Sequence, residues 1–270
     1  REDFPAVGDW VTMIEFDPGK AIINGILPRK TLLARQATGK TVEKQLIAAN
    51  VDTAFIMQSL DNNFNINRIE RYLTICNSGG IEPVVLLSKT DLVNEELIEK
   101  LKSGLEKREK RLKYFLLSSL SGEGLDQITG YMQKGKTYCV IGSSGVGKST
   151  LINRLFDREI LDTNDISKST NKGKHTTTFR ELFITESGSI IIDTPGMREL
   201  GLTDDEEGIH STFEDIEKLA VSCRFSDCTH TGEKGCAVTE AVENRIIDSR
   251  SLDNYLRMKR EQEHYNSTVA

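Results

Sequence analysis

The chain has 270 residues, 37% of them apolar and 28% charged with only 5 prolines, a composition that excludes fibrous and disordered classes. Lysine and arginine total 35 against 41 acidic residues, so a net charge of −6 provides no general field for nucleic acid or anionic lipid, and any polyanion must bind locally. No apolar run nears the ~20 residues of a membrane helix, and Arg1-Glu2-Asp3 opens no secretory pattern, so the expectation is a cytoplasmic protein with no membrane partner.

The elements read in chain order as follows. Residues 10–16, 21–27 and 31–35 predict short strands separated by turns, including Asp17-Pro18-Gly19, and Trp10, Thr12, Ile14 and Phe16 share a mostly apolar face. The spacing fits a small OB-like β-barrel over residues 1–50, with its first strand expected to be missing from the sequence. Such a barrel either contacts RNA or merely packs, with Trp10 in its core. From residue 51 the pattern becomes strands alternating with amphipathic helices, the signal for a parallel sheet covered on both faces. Strands are predicted at 53–58, 83–87, 114–117, 138–141 and 190–192. Helices are predicted through Ile66, Ile69, Leu73 and Cys76, at 95–110, at 149–156, and as one long helix over 239–263.

Gly142-Ser143-Ser144-Gly145-Val146-Gly147-Lys148-Ser149 fits the P-loop pattern between an apolar strand and a helix, with Thr150 following. Glycines let backbone N–H groups turn onto phosphate oxygens, Lys148 reaches the β and γ phosphates, and Ser149 ligates Mg²⁺. Asp193-Thr194-Pro195-Gly196 follows a later strand and supplies the carboxylate of the magnesium shell, with the Gly196 N–H directed at the γ-phosphate. Between them, Lys172-Gly173-Lys174-His175-Thr176-Thr177-Thr178 offers Thr177 first, and Thr176 second, as the switch threonine over Mg²⁺; an ordinary basic loop is the competing reading.

Ser88-Lys89-Thr90-Asp91 resembles the guanine motif Asn-Lys-x-Asp. Asp91 would accept from guanine N1–H and the N2 amino group, which adenine cannot offer, while the Lys89 stem covers the base. Ser118-Ser119, after the next strand, stands where GTPases place a backbone contact to guanine. Ser88 replaces an asparagine whose side chain also ties this loop to the P-loop, so a modest nucleotide affinity is expected.

Ordinary GTPases run from P-loop to guanine motif; here the guanine motif and Ser118-Ser119 come first, which is a circular permutation. With a β unit before it and a Cys/His cluster after it, the chain resembles the ribosome small-subunit-dependent GTPase A (RsgA) family over nearly its whole length. The resemblance implies an α/β fold: an N-terminal OB-fold, a permuted P-loop GTPase domain over 51–205 and a zinc-binding helical domain over 206–270. It also implies a GTP hydrolase, stimulated by the small (30S) ribosomal subunit, acting in its late maturation. The contrasting function is a non-catalytic, GTP-dependent rRNA-binding scaffold.

Met197 follows the Asp-x-x-Gly motif where many GTPases carry a water-orienting glutamine, so hydrolysis by the isolated protein is expected to be slow. His175 is the nearest polar candidate for positioning the water, and the resemblance supports it.

Cys223, Cys228, His230 and Cys236 supply four ligands, the number that a closed structural zinc site requires, and their spacing is that of the family's zinc domain. Cys76 and Cys139 stand alone. One zinc per chain is expected to staple this region. Arg245, Arg250, Arg257, Lys259 and Arg260 on the following helix offer a surface to 16S rRNA, against the alternative of a solvated helix face. Basic residues also outnumber acidic ones between Lys134 and Arg180, so RNA contact should be salt-sensitive. Nothing suggests a coiled coil, and a monomer is expected.

Overall fold

Continuous apolar runs along the central strands decide the architecture. The computed structural model describes residues 3–36, 44–158, 161, 181–194, 201–203 and 205–269. Strand β5 (Thr53–Ser59) is buried along its full length and so must be covered on both faces. Ala54 and Ile56 belong to one apolar cluster, Phe55 and Met57 to another, as the two-residue strand period requires. Around it forms a six-stranded sheet of order β7 (Tyr114–Leu117), β6 (Glu82–Ser88), β5, β8 (Thr137–Ile141), β10 (Ile190–Asp193), β9 (Glu181–Ile184). Neighbours are parallel except β9, which runs antiparallel to β10.

One face is covered by α3 (Leu125–Tyr131) and α4 (Lys148–Leu155), through Ile128, Leu151 and Ile152. The other face takes α1 (Ile66–Ser78), capped by the Asn65 side chain on the Arg68 N–H, and α2 (Glu95–Arg108), capped by Asn94 with Glu95 and Glu96 in its first turn. The C-terminal helices α5 (Glu206–Thr212), α6 (Glu214–Ala220), α7 (Ala237–Glu243) and α8 (Ser249–Val269) join this second face: Ile209, Ile216, Val238 and Met258 share its apolar cluster with Ile69 and Leu105. A buried polar knot fastens α8 there. Glu70 of α1 is fully buried, pairs with Arg108 at 2.6 Å, and accepts from Asn254 at 2.6 Å and Ser251 at 3.2 Å. Each partner is needed, because a buried carboxylate without hydrogen bonds is costly.

The N-terminal residues form two antiparallel pairs, β1 (Val11–Asp17) with β2 (Lys20–Ile26), and β3 (Leu32–Gln36) with β4 (Lys44–Ala49). Leu33 and Ile47 of the second pair enter the main core. Trp10 does not: it is 71% exposed, and Ile14 and Phe16 beside it are exposed too, so the reading that buries Trp10 in a barrel core is corrected. Among the described residues nothing covers either face of the β1–β2 hairpin enough to bury it.

The predicted helix over 239–263 is also corrected, into α7 and α8. Asn244 caps the first, Arg245 takes a left-handed φ of 59°, and the Asp248 carboxylate accepts from the Arg250 and Ser251 N–H groups to start the second. Arg245 therefore lies in the break between helices. Among the described residues no helix is long and apolar enough to cross a membrane.

Candidate nucleotide site and metal centre

Parallel pairing brings the motif-bearing loops to one sheet edge. Ser59 is in register with Ser88, Ser88 with Leu117, Ile56 with Ile141, and Val140 with Asp193. The loops that leave β5, β6, β7, β8 and β10 thus emerge side by side at the carboxyl ends of the strands, where open α/β sheets bind ligands.

The phosphate loop spans β8 and α4. Gly142 passes so close to β5 that a Cβ there would lie 2.3 Å from the Met57 carbonyl oxygen, and Gly147, at φ 100°, opens α4 in a conformation that side chains disfavour. Lys148 Nζ donates to the Gly142 and Ser143 carbonyls at 2.8 Å each, which holds its ammonium inside the loop. Ser149 and Thr150 follow in the first turn of α4. Asp193 ends β10, buried; burial raises its pKa and the Lys148 charge partly offsets this. Next to it the Thr194 hydroxyl donates to the Val140 carbonyl at 2.7 Å, pinning the start of the Asp-x-x-Gly segment to the P-loop strand. A buried carboxylate beside a phosphate loop suits a magnesium shell. His175, Thr176, Thr177, Gly196 and Met197 lie outside the described residues.

The guanine loop is assembled by tertiary contacts. Ser118 Oγ donates to Asp91 Oδ1 at 2.5 Å, orienting that carboxylate. Thr90 donates to Glu123 at 3.4 Å, and Lys89, in a left-handed conformation at φ 62°, places its ammonium 2.9 Å from Asp61. The Ser119 hydroxyl is buried with no hydrogen-bond partner, an orphan that a ligand atom can satisfy. Ser88 Oγ donates to the Val146 carbonyl at 2.8 Å. The serine therefore makes a tie between the guanine loop and the P-loop, and the expectation that this tie is lost with the asparagine is corrected.

Four residues that carry no motif join this site. Arg154 of α4 donates to the Ser119 and Leu120 carbonyls at 3.1 and 2.9 Å, bracing the guanine loop from the phosphate side. Asp61, Asn63 and Arg68 follow β5. The available signal was position: a polar run after a buried parallel strand lies on the ligand edge.

The candidate metal centre lies between α6 and α7. The four ligand atoms of Cys223, Cys228, His230 and Cys236 lie within 4.8 Å of one another. Sγ of Cys223 is 3.9 Å from Sγ of Cys236, and His230 Nδ1 is 3.6 and 3.4 Å from those sulfurs. A tetrahedral zinc with bonds of ~2.3 Å to sulfur and ~2.0 Å to nitrogen requires edges of roughly 3.8 and 3.5 Å, so the donor set fits the ion. Burial resists ionisation of Cys236, but hydrogen bonds from Thr239, His230 and Cys228 outweigh it and bring the thiol down to about 6.

The family profile described as RsgA GTPase matches residues 26–203. The chain belongs to the RsgA GTPase family. Its relatives include the small ribosomal subunit biogenesis GTPase RsgA 2 of Vibrio parahaemolyticus, 43% identical across 98% of this chain and 72% of that protein. RsgA 1 of Bacteroides thetaiotaomicron is 41% identical across 99% and 75%. The crystal structure of YjeQ from Thermotoga maritima superposes with a TM-score of 0.69 at 28% identity, covering 99% of this chain and 85% of that one. YloQ, described as a circularly permuted GTPase, gives 0.65 at 25%, covering 98% and 81%. Members are GTPases by the family's definition, and the permuted α/β fold read from motif order is the fold found.

Proposed function

We propose that this RsgA-family GTPase binds the small ribosomal subunit and hydrolyses GTP in a subunit-stimulated manner during the biogenesis of that subunit. The observation that carries the GTPase reading is the convergence of Asp91, braced by Ser118, and the Lys148 loop at one sheet edge, joined through Ser88 and Val146. The names of the relatives support the ribosomal reading.

In this mechanism backbone N–H groups of residues 142–149 and the N-terminus of α4 hold the β and γ phosphates. The Lys148 ammonium exchanges its two carbonyls for phosphate oxygens, and Asp91 accepts from guanine while the Lys89 stem covers it. Ser149, Asp193 and Thr177 would hold Mg²⁺, which neutralises charge on the phosphates. His175 would position the attacking water, and the Gly196 N–H would sense the γ-phosphate. Cys223, Cys228, His230 and Cys236 would hold one structural zinc.

The same reading divides the chain into an OB-like unit over 1–50, a permuted GTPase domain over 51–205 and a zinc domain over 206–270. It assigns 16S rRNA contacts to the basic residues of α8 and to the stretch between Lys134 and Arg180. The protein acts as a cytoplasmic monomer.

Hydrolysis of GTP and ATP by the purified protein, with and without purified small subunits, tests the proposal. A GTP-selective rate that rises steeply only with the subunit supports it. GTP binding with no subunit-dependent rise overturns it in favour of a non-catalytic assembly scaffold.

A further inference from the structure

Between the two halves of the nucleotide site runs a loop that neither motif includes. β5 is flanked by β6, which feeds the guanine loop, and by β8, which feeds the phosphate loop. Residues 60–65, leaving β5, must therefore pass between them, and their side chains reach both ways. Asp61 Oδ2 takes the Lys89 ammonium at 2.9 Å, while Asp61 Oδ1 accepts from Ser59 Oγ at 2.8 Å and from the Asn63 N–H at 3.0 Å. Asn63 Nδ2 then donates to Ser143 Oγ, the second residue of the phosphate loop, at 3.1 Å. Behind them Arg68 Nη1 lies 3.0 Å from Asn63 Oδ1 and 3.3 Å from both the Asn63 carbonyl and Ser143 Oγ. Gln58, buried, donates to the same Asn63 carbonyl at 2.8 Å.

We propose that this loop couples base recognition to the phosphate loop, so that Asp61, Asn63 and Arg68 are positioning residues for guanine nucleotide binding. Every link is a direct contact, from Lys89 through Asp61 and Asn63 to Ser143. The Lys89 stem can cover a purine only if its end is anchored, and Asp61 is the anchor. Although burial works against it, hydrogen bonds from Lys89, Ser59 and Asn63 hold the Asp61 carboxyl below the usual range, so it remains a carboxylate at neutral pH. Ser143 Oγ is held from the far side by Asn63 and Arg68, while the Ser143 carbonyl holds the Lys148 ammonium. A base that locks Lys89 thereby stiffens Asp61 and the loop that holds Ser143.

The inference rests on the guanine-nucleotide reading of the site. Titration of the full chain with GTP tests it in a double-mutant cycle of Lys89→Ala and Ser143→Ala. The expected result is non-additivity, the double variant losing less affinity than the product of the single losses by about fivefold or more. That non-additivity disappears when Asp61→Ala is added. Should Asp61→Ala not fold, Asp61→Asn replaces it, since it keeps acceptors for Ser59 and Asn63 but offers Lys89 no charge. Additivity within about twofold, or non-additivity that survives removal of the Asp61 carboxylate, overturns the proposal. Failure of the unmodified protein to bind GTP would instead sink the guanine reading itself, so the two failures are distinguishable.

Discussion

The Ser88 hydroxyl reaches the Val146 carbonyl at 2.8 Å, with Ser88 almost wholly buried. One short side chain thus joins the end of β6, and the loop after it, to the P-loop segment, across 58 residues of sequence. Ser88→Ala leaves that carbonyl unpaired in a dry place, a cost of about 1–3 kcal/mol. GTP affinity measured by calorimetry should fall by roughly 5- to 150-fold, since the tie that holds the two loops together is lost. An unchanged affinity would mean that the tie is not what sets the loops.

His175→Ala should abolish subunit-stimulated turnover while GTP still binds, because the residue after the Asp-x-x-Gly motif is Met197, which cannot orient water. Stimulated rates equal to those of the unmodified protein would remove His175 from the chemistry.

Removal of zinc should unfold more than the metal-bearing loop. Cys236 and Val238 belong to the apolar cluster that covers one face of the main sheet, so losing the staple loosens α7 and α8 together. Metal analysis should find about one zinc per chain, and Cys228→Ser should lose it and melt at lower temperature. A chelated protein with an unchanged melting curve contradicts this.

Arg71 of α1 grips Glu261 of α8 through two bonds of 2.7 and 2.6 Å, and Glu261 also accepts from the Leu202 N–H at 3.0 Å. Leu202, fully buried, sits just beyond the Asp-x-x-Gly segment. Glu261→Ala should therefore destabilise the fold by about 1–3 kcal/mol in denaturant titration, since it removes the acceptor of a buried backbone N–H and one side of the bidentate pair. Pairing it with Arg71→Ala should cost less than the two single losses combined.

Glu109 gives a pH dependence. Burial first, and then the nearby Glu70 carboxylate, push its pKa up to about 8 from the ordinary 4.5. The folded state therefore binds the proton more tightly than the unfolded chain, so this group's contribution is intact below about pH 4.5 and is lost as the pH rises toward 8. Glu109→Gln removes that loss: relative to the unmodified protein, its melting temperature should rise progressively between those two pH values. A constant difference across the range would refute the assignment.

What the sequence determined by itself is the chemistry whose ligands are local. Residues 142–149 read as a phosphate cradle because their glycines permit the left-handed turns that point backbone N–H groups inward, as Gly147 at φ 100° does, and the order of motifs alone disclosed the permutation. Cys223 to Cys236 announced a metal centre because its four donors fall within a short stretch. Tertiary structure decided what depends on separation. Ser88 was legible as a departure from asparagine, but only the position of Val146 beside it shows that the tie persists. Asp61, Asn63 and Arg68 carry no pattern, and they join the site because parallel pairing sets β5 between β6 and β8. Trp10 satisfied a strand's alternation yet is exposed, since periodicity specifies that two faces exist and only packing decides whether either is covered.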